Sequence, residues 1–315
     1  MKVQRDGRNV KVEVTTDGTG LVSHAGALLL AEVADKLGLT RALSLRLGVL
    51  KQRRRGHDPG RVIRDLAVMA ADGGECISDL SGLRDQVELF GLVASDSTAF
   101  RVIEKIASEP ELLEGLREAH ARARERFWER HGAPQSLTID VDATLVTAHS
   151  EKEGAAGTWK GGFGFHPLQA YADETREALA GKLRPGNAGS NTTADHKAVL
   201  DLAIAQVPVQ HIEGLEILVR SDSAGATHGL AEHCREHAMR FSVGYELSEP
   251  VRAAILRIPE DAWVPAHQKD GTERTNGEVA EITEKIDLSS WPDASRLIVR
   301  RERPHPGRAA VLHRP

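Results

Sequence analysis

Cysteine is scarce: Cys76 and Cys234 are the only two in 315 residues. They are too few for a disulfide framework or a four-cysteine zinc site, and they fit a reducing compartment. Long hydrophobic runs are missing too. No apolar stretch approaches the roughly 20 residues of a membrane-spanning helix, and residues 1–8 contain no apolar signal-peptide region, so a cytoplasmic protein without membrane association is expected. G-x-S-x-G, the Walker A pattern and G-x-G-x-x-G are absent, and Gly161-Gly-Phe-Gly lacks the strand-turn-helix context of a phosphate loop. Hydrolases and nucleotide binders of those types drop out.

What is present is uneven. The length exceeds one average domain, so two domains or one large elaborated domain are expected. The net charge of −5 conceals 11 Lys+Arg against 6 Asp+Glu in residues 1–60, and 30 against 40 in the remainder. The basic front ends in Lys51-Gln-Arg-Arg-Arg-Gly-His. Such a cluster can grip phosphates through Coulomb attraction and counterion release. It lacks aromatic interleaving and a recognition helix, and a modest basic excess also reads as solvated surface.

Residues 1–20 alternate weakly and read as a short hairpin or loose lead-in. From Ala25 to Leu47 apolar residues recur at helical spacing around a break at Gly38. His57-Asp-Pro-Gly opens another helix, residues 78–90 and 97–107 read as short helices with Ser97 as N-cap of the second, and residues 110–130 form a long charged helix ended by Gly132-Ala-Pro. The first 134 residues are thus a mainly helical region.

After Pro134 the texture changes. Leu137 to Val146 reads as a strand with Leu137, Ile139, Val141, Ala143 and Leu145 on one face, and Thr138, Asp140, Asp142, Thr144 and Val146 on the other. Two aspartates on one strand face need cations, donors or solvent, and a divalent metal is one such partner. Residues 162–172 and 178–183 read as two further strands, 193–207 as a helix, 215–222 as a strand, 227–239 as a helix and 240–246 as a strand. Pattern alone gives α/β with a mixed sheet; the order of three strands, helix, strand, helix, strand is that of the ribonuclease H-like fold. Asp222 ends a central strand, where ligands of α/β sheets collect; it also reads as the cap of the helix that follows. A helix over 250–257 and strands over 277–288 and 295–301 complete the pattern.

His233-Cys-Arg-Glu-His237 fits the H-x-x-E-H pattern of some zinc peptidases. Five positions with three fixed match often by chance in a His-rich chain, and His237 reads as a packed or surface-edge histidine rather than a ligand.

Ile139-Asp-Val-Asp-Ala-Thr-Leu-Val, Gly162-Phe-Gly-Phe-His-Pro-Leu, Leu183-Arg-Pro-Gly-Asn-Ala and Leu218-Val-Arg-Ser-Asp-Ser resemble, in that order, motifs of the DDE transposases of bacterial insertion sequences. The resemblance implies a ribonuclease H-like core (135–247) after a helical DNA-binding region (1–134), with a strand-rich insertion at 248–303. It also implies cut-and-paste transposition with Mg²⁺ or Mn²⁺. Double-stranded DNA would be the partner, as terminal inverted repeats and target, with a homodimer in the DNA complex. Asp142 matches the family's first catalytic, metal-holding Asp and Asp222 the second, with Asp140 as a supporting candidate. Arg53, Arg54 and Arg55 are the candidates for DNA phosphate contacts. His166, Arg184 and Asn187 fall in family motifs, and structural roles are expected for them.

A third acid, a Glu on a helix beyond the insertion, is also implied. Only 14 residues follow Arg301, so a C-terminally truncated and catalytically impaired transposase is expected, with residues 304–315 as an aberrant tail. Glu246, Glu278 and Glu281 stand in the wrong context to replace the missing acid. Two other readings stay open: a non-catalytic DNA-binding remnant, and a metal-dependent DNA nuclease.

Overall fold

Helical spacing dominates the front of the chain, and the computed structural model, which describes residues 2–6, 9–13, 24–51, 53–149, 152–189, 192–212 and 214–302, builds it accordingly. The expected tail at 304–315 lies outside the described residues. Strands β1 (Lys2–Asp6) and β2 (Asn9–Glu13) form an antiparallel pair. Helices α1 (Ala27–Lys36) and α2 (Leu39–Leu47) are separated at Gly38, whose φ of 71° is the left-handed conformation that glycine adopts without a Cβ penalty. Helix α3 (Pro59–Ala71) starts with proline in its first turn, while Asp58 accepts the Arg61 N–H at 3.1 Å. Short helices α4 (Leu80–Arg84) and α5 (Val87–Phe90) lead to α6 (Asp96–Ser108) and the long α7 (Pro110–His131).

The expected cap at Ser97 is corrected. Helix α6 begins at Asp96, and the flanking residue with extended backbone is Ser95, whose hydroxyl meets Thr98 Oγ1 at 3.0 Å. Ser97 lies inside the first turn.

These helices belong to one structural unit, Met1–Gln135, to which the chain returns at Ala203–Leu215 through the end of α8 (Thr193–Ile204) and through α9 (Val209–Ile212). Its apolar stripes meet in two clusters, one containing Leu28, Val62, Leu80, Leu83 and Phe90, the other Leu43, Leu47, Ile106, Leu112 and Ala119. Trp128 is buried edge-on against His211 at 5.6 Å between centroids.

The second unit, Ser136–Leu202 with Glu216–Pro315, is built on a sheet. In chain order come β3 (Ser136–Ala143), β4 (Val146–Thr147), β5 (Ala156–Gly157), β6 (Phe163–Phe165), β7 (Leu168–Ala172), β8 (Glu177–Lys182), β9 (Glu216–Ser221) and β10 (Arg240–Val243). The main sheet runs β10-β9-β3-β7-β8, with β3 parallel to β9, β9 parallel to β10, and β7 antiparallel to both β3 and β8. Helix α8 connects β8 to β9, and α10 (His228–Glu236) connects β9 to β10. A central first strand, an antiparallel meander on one side and two parallel strands on the other make the ribonuclease H-like arrangement. Leu137, Ile139 and Val141 are buried while Thr138, Asp140 and Asp142 are not, so the alternation read in the sequence holds.

The expected second strand divides. β6 joins the small β4-β6-β5 sheet, and β7 alone enters the main sheet. Beyond β10, α11 (Glu249–Ile255) precedes an antiparallel sheet of β11 (Val264–His267), β12 (Glu273–Glu281) and β13 (Ile298–Glu302). β12 stops at Glu281 rather than continuing to residue 288, because Ile282 donates to the Leu297 carbonyl at 2.9 Å and the chain turns into a short 3₁₀ segment. β11 was not legible as a strand: it contains Pro265, which cannot donate to a ladder, and it is accordingly an edge strand.

Helix α8 is pinned to the sheet by charge. Lys182 on β8 donates to Asp195 Oδ1 at 2.5 Å, and Arg184 reaches Asp195 Oδ2 at 3.4 Å. The Lys182 hydrogen bond, against an opposing effect of burial, holds the Asp195 carboxyl below the ordinary Asp range. Its stabilisation is therefore present above the unfolded-state pKa of about 3.9 and lost as pH falls through the lower folded value. Asp195→Asn is expected to lower stability at neutral pH and to flatten its decline toward pH 3, measured by urea unfolding at stepped pH.

Candidate active site

Asp142 is the penultimate residue of β3, and Asp222 directly follows β9. The parallel register pairs Asp140 with Arg220 and Val141 with Ser221. Pairing ends at Val141 and Ser221; extended by one step, the same register sets Asp142 opposite Asp222 at the carboxyl ends of neighbouring strands, which in any sheet run about 4.7–4.9 Å apart. Their faces coincide, because the residues two positions earlier are bonded to each other: Arg220 donates to Asp140 through Nε at 2.6 Å and through a terminal nitrogen at 2.7 Å. Asp222 keeps extended backbone, φ −72° and ψ −167°, so the alternation carries one residue past the strand.

Both side chains are exposed. Asp142 Oδ1 accepts the Ala143 N–H and Asp222 Oδ1 accepts the Ala224 N–H, each at 2.8 Å. Asp222 thus does cap the Ser223–Gly225 3₁₀ turn, while α10 has its own cap in Thr227. These contacts use one oxygen of each carboxylate. Among the described residues Oδ2 of neither makes a hydrogen bond, so two hard oxygen donors face solvent on one surface. That donor set fits a magnesium-class cation, which takes carboxylate oxygens and retains waters.

The backbone behind Asp222 is tight. Gly244 donates to the Ser221 carbonyl at 3.2 Å, and a Cβ on it would lie 2.7 Å from the Ser223 nitrogen and 3.0 Å from the Asp222 carbonyl carbon. Glycine is what lets the end of β10 run against the Asp222 turn.

Asp140 is not free to assist. Both its oxygens are committed to Arg220, and that hydrogen bond raises the guanidinium's already high pKa. The other motif residues cross-tie the loops beside β6. Arg184, buried, donates from Nε to the His166 carbonyl at 3.0 Å and from a terminal nitrogen to the Gly189 carbonyl at 3.2 Å. His166 Nδ1 donates to the Ala188 carbonyl at 3.3 Å, and Asn187 is exposed.

Glu278 is engaged by Arg301 at 2.7 Å, and Glu281 by Arg296 and Thr283, which hold its carboxyl down at about 2. Glu246 is exposed two residues beyond Gly244. Among the described residues no third Asp, Glu, His or Cys joins Asp142 and Asp222 in a group whose ligand atoms lie within 4.8 Å of one another. In the other unit, Arg53, Arg54 and Arg55 are exposed in the loop before α3, and none forms an ion pair among the described residues. No helix among the described residues is long and apolar enough to cross a membrane.

Comparison with solved structures finds distant similarity to transposases. The piggyBac transposase synaptic complex with hairpin DNA is 9% identical, with 85% of this chain and 59% of that one covered at a TM-score of 0.38. The catalytic domain of Mos1 mariner transposase is 8% identical, with 42% and 61% covered at 0.27. The Mos1 mariner paired end complex with Mn is 10% identical, with 66% and 67% covered at 0.26. This chain therefore spans about three-fifths of the piggyBac chain and of the Mos1 catalytic domain. No curated protein matches it. The family model described as Transposase DDE domain group 1 matches residues 4–311, nearly the whole length, and the chain belongs to that transposase family, whose chemistry implies a divalent metal.

Proposed function

We propose that this chain is a DNA transposase of the insertion-sequence type, working in the cytoplasm by cut-and-paste on double-stranded DNA, with Asp142 and Asp222 as metal-holding carboxylates. The observation that carries this reading is the parallel register of β3 and β9 with its Asp140–Arg220 pair, which sets the two aspartates two residues further along adjacent strands. Mg²⁺ is the ion proposed, with Mn²⁺ as a substitute. When bound, such an ion activates the attacking oxygen and stabilises the leaving oxygen of an in-line phosphoryl displacement. The protein's own contribution is placement. The Ala143 and Ala224 N–H groups fix one oxygen of each carboxylate, and the Arg220 guanidinium neutralises Asp140, which lowers the repulsion between acids on that face.

A second reading has one specific observation in its favour. With no third acid beside the pair among the described residues, metal affinity is weaker than three carboxylates would give, and the chain would act as a DNA-binding remnant. Incubation with supercoiled plasmid and end-bearing duplex in Mg²⁺ or Mn²⁺ separates the readings. Joined products support the transposase, nicks without joining mean a nuclease, and DNA binding without either means the remnant.

Arg53, Arg54 and Arg55 are proposed to contact phosphates of the element ends, on which a homodimer would assemble. Replacing all three with Gln is expected to weaken DNA binding at every sequence and to reduce the slope of log K against log salt by up to about 2.7, roughly 0.9 per phosphate contact. Fluorescence anisotropy at graded salt measures this, and an unchanged slope removes the cluster from the interface.

A further inference from the structure

The H-x-x-E-H spacing gains a partner that sequence alone could not supply. Asp201 on α8 meets His233 on α10, with Asp201 Oδ1 2.6 Å from His233 Nε2. His237, one turn on, has its ring 4.4 Å from that of His233. One ligand atom from each of Asp201, His233 and His237 lies within 4.8 Å of the others, the one such group of three among the described residues. Glu236, the general base of a peptidase reading, is not in the group.

The chemistry of the donors is specific. His237 Nδ1 lies 2.9 Å from the His233 carbonyl, which can only accept. Nδ1 therefore carries a proton, and Nε2 is the ring nitrogen left to ligate. That hydrogen bond is the outer-shell contact that fixes a ligating histidine in other metal sites. His233 is mostly buried while Asp201 and His237 are exposed, so one donor is held and two adjust. Donors held near 2.0–2.2 Å from a tetrahedral ion stand about 3.3 Å apart, so Asp201 Oδ1 must back away from its 2.6 Å contact with His233 while the group as a whole adjusts around the ion, which side-chain rotation of the exposed pair supplies. Cys234 lies on the buried face of α10 and is not in the group.

We propose that Asp201, His233 and His237 form a second metal site, one for a zinc-class transition ion, that clips α8 to α10. Two imidazoles and one carboxylate select borderline ions such as Zn²⁺ or Co²⁺ over Mg²⁺, in contrast to the all-oxygen pair at Asp142 and Asp222. The ion would take the place of the Nε2 proton in the His233–Asp201 contact, that proton passing to solvent, and the His233 ring would carry its remaining proton on Nδ1. Three protein donors leave a fourth position for water.

The test uses the full chain carrying Asp142→Asn and Asp222→Asn, stripped with a chelator, so that the carboxylate pair does not compete. Co²⁺ is titrated with visible absorption as readout and then displaced by Zn²⁺. One ion per chain is expected, with Mg²⁺ giving no displacement. His237→Ala and Asp201→Asn are each expected to weaken binding at least ~10-fold. Because the Asp201–His233 contact also joins the helices, circular dichroism accompanies each variant, and His237→Gln replaces any that unfolds. Zn²⁺ should also raise the melting temperature of the parent chain and not of the His237 variant. Absence of stoichiometric binding, or binding in the His237 and Asp201 variants as tight as in the parent, overturns the site.

Discussion

Asp142→Asn and Asp222→Asn, each alone, are expected to lower Mg²⁺- or Mn²⁺-dependent DNA cleavage by about 10²–10³-fold or more while leaving DNA affinity within a factor of a few. Asparagine keeps the size of the side chain and still offers an oxygen to the Ala143 or Ala224 N–H. What it removes is the charge. A hard cation held by two carboxylates has little affinity for one, so either change alone should remove nearly all metal-dependent turnover rather than half. Asp140→Asn is the informative contrast. It leaves Arg220 with a weaker partner but takes no donor from the pair, so the expected loss is less than ~10-fold. Equal losses in all three variants would contradict the assignment of the metal to Asp142 and Asp222, and so would wild-type cleavage by either of those two variants.

The largest effect on stability is expected in the helical unit. Arg64 and Asp65 are adjacent on α3 and both buried, 6% and 3% exposed. Arg64 donates to Asp65 Oδ1 through Nε at 3.0 Å and through a terminal nitrogen at 2.5 Å, and reaches Asp35 Oδ2 at 3.2 Å. Burial raises the Asp65 carboxyl pKa, and Arg64 opposes that rise. A folded pKa above the unfolded one means that ionising Asp65 costs stability as pH rises through the folded value, so the pair is weak as a net source of stability. Breaking it is another matter. Asp65→Ala leaves the Arg64 guanidinium buried with only the half-exposed Asp35 beside it, at an expected cost of about 3–5 kcal/mol in urea unfolding. Replacing both, as Arg64→Met with Asp65→Leu, should recover most of that loss; a single variant within 1 kcal/mol of the parent, roughly the effect of an ordinary substitution, would mean that the guanidinium finds solvent.

The elements legible in the sequence were those set by local periodicity. The stripes of α3 and α7 bury most of their apolar residues, those of α1 and α2 bury Leu28, Ala31, Leu43 and Leu47 but leave Leu29 and Val33 exposed, Gly38 breaks the first pair, and the alternation of β3 sends Ile139 and Val141 inward while Asp140 and Asp142 stay outside. The order of strands and helices after Pro134 was legible for the same reason. What escaped depends on register between distant segments. Asp140 and Asp142 are equivalent by alternation, and only the pairing of β3 with β9 shows that Arg220 claims the first and leaves the second. A trace of this was present, since Arg220 precedes Asp222 by the same two residues that separate Asp140 from Asp142. Gly244 gave no sign of its role, because its close neighbour is the backbone of the Asp222 turn on another strand. His233 and His237 gave only the H-x-x-E-H spacing, because Asp201 lies on a different helix. β11 was hidden by Pro265, which is compatible with a strand only at an edge.

The most direct test of the central claim, that Asp142 and Asp222 share one divalent ion, is paramagnetic broadening of backbone amide NMR signals during titration with Mn²⁺. The amides of Ala143 and Ala224 should broaden together at the same low Mn²⁺ concentration, and both should recover in Asp142→Asn and in Asp222→Asn. Broadening of one amide without the other, or broadening that survives either substitution, would contradict it.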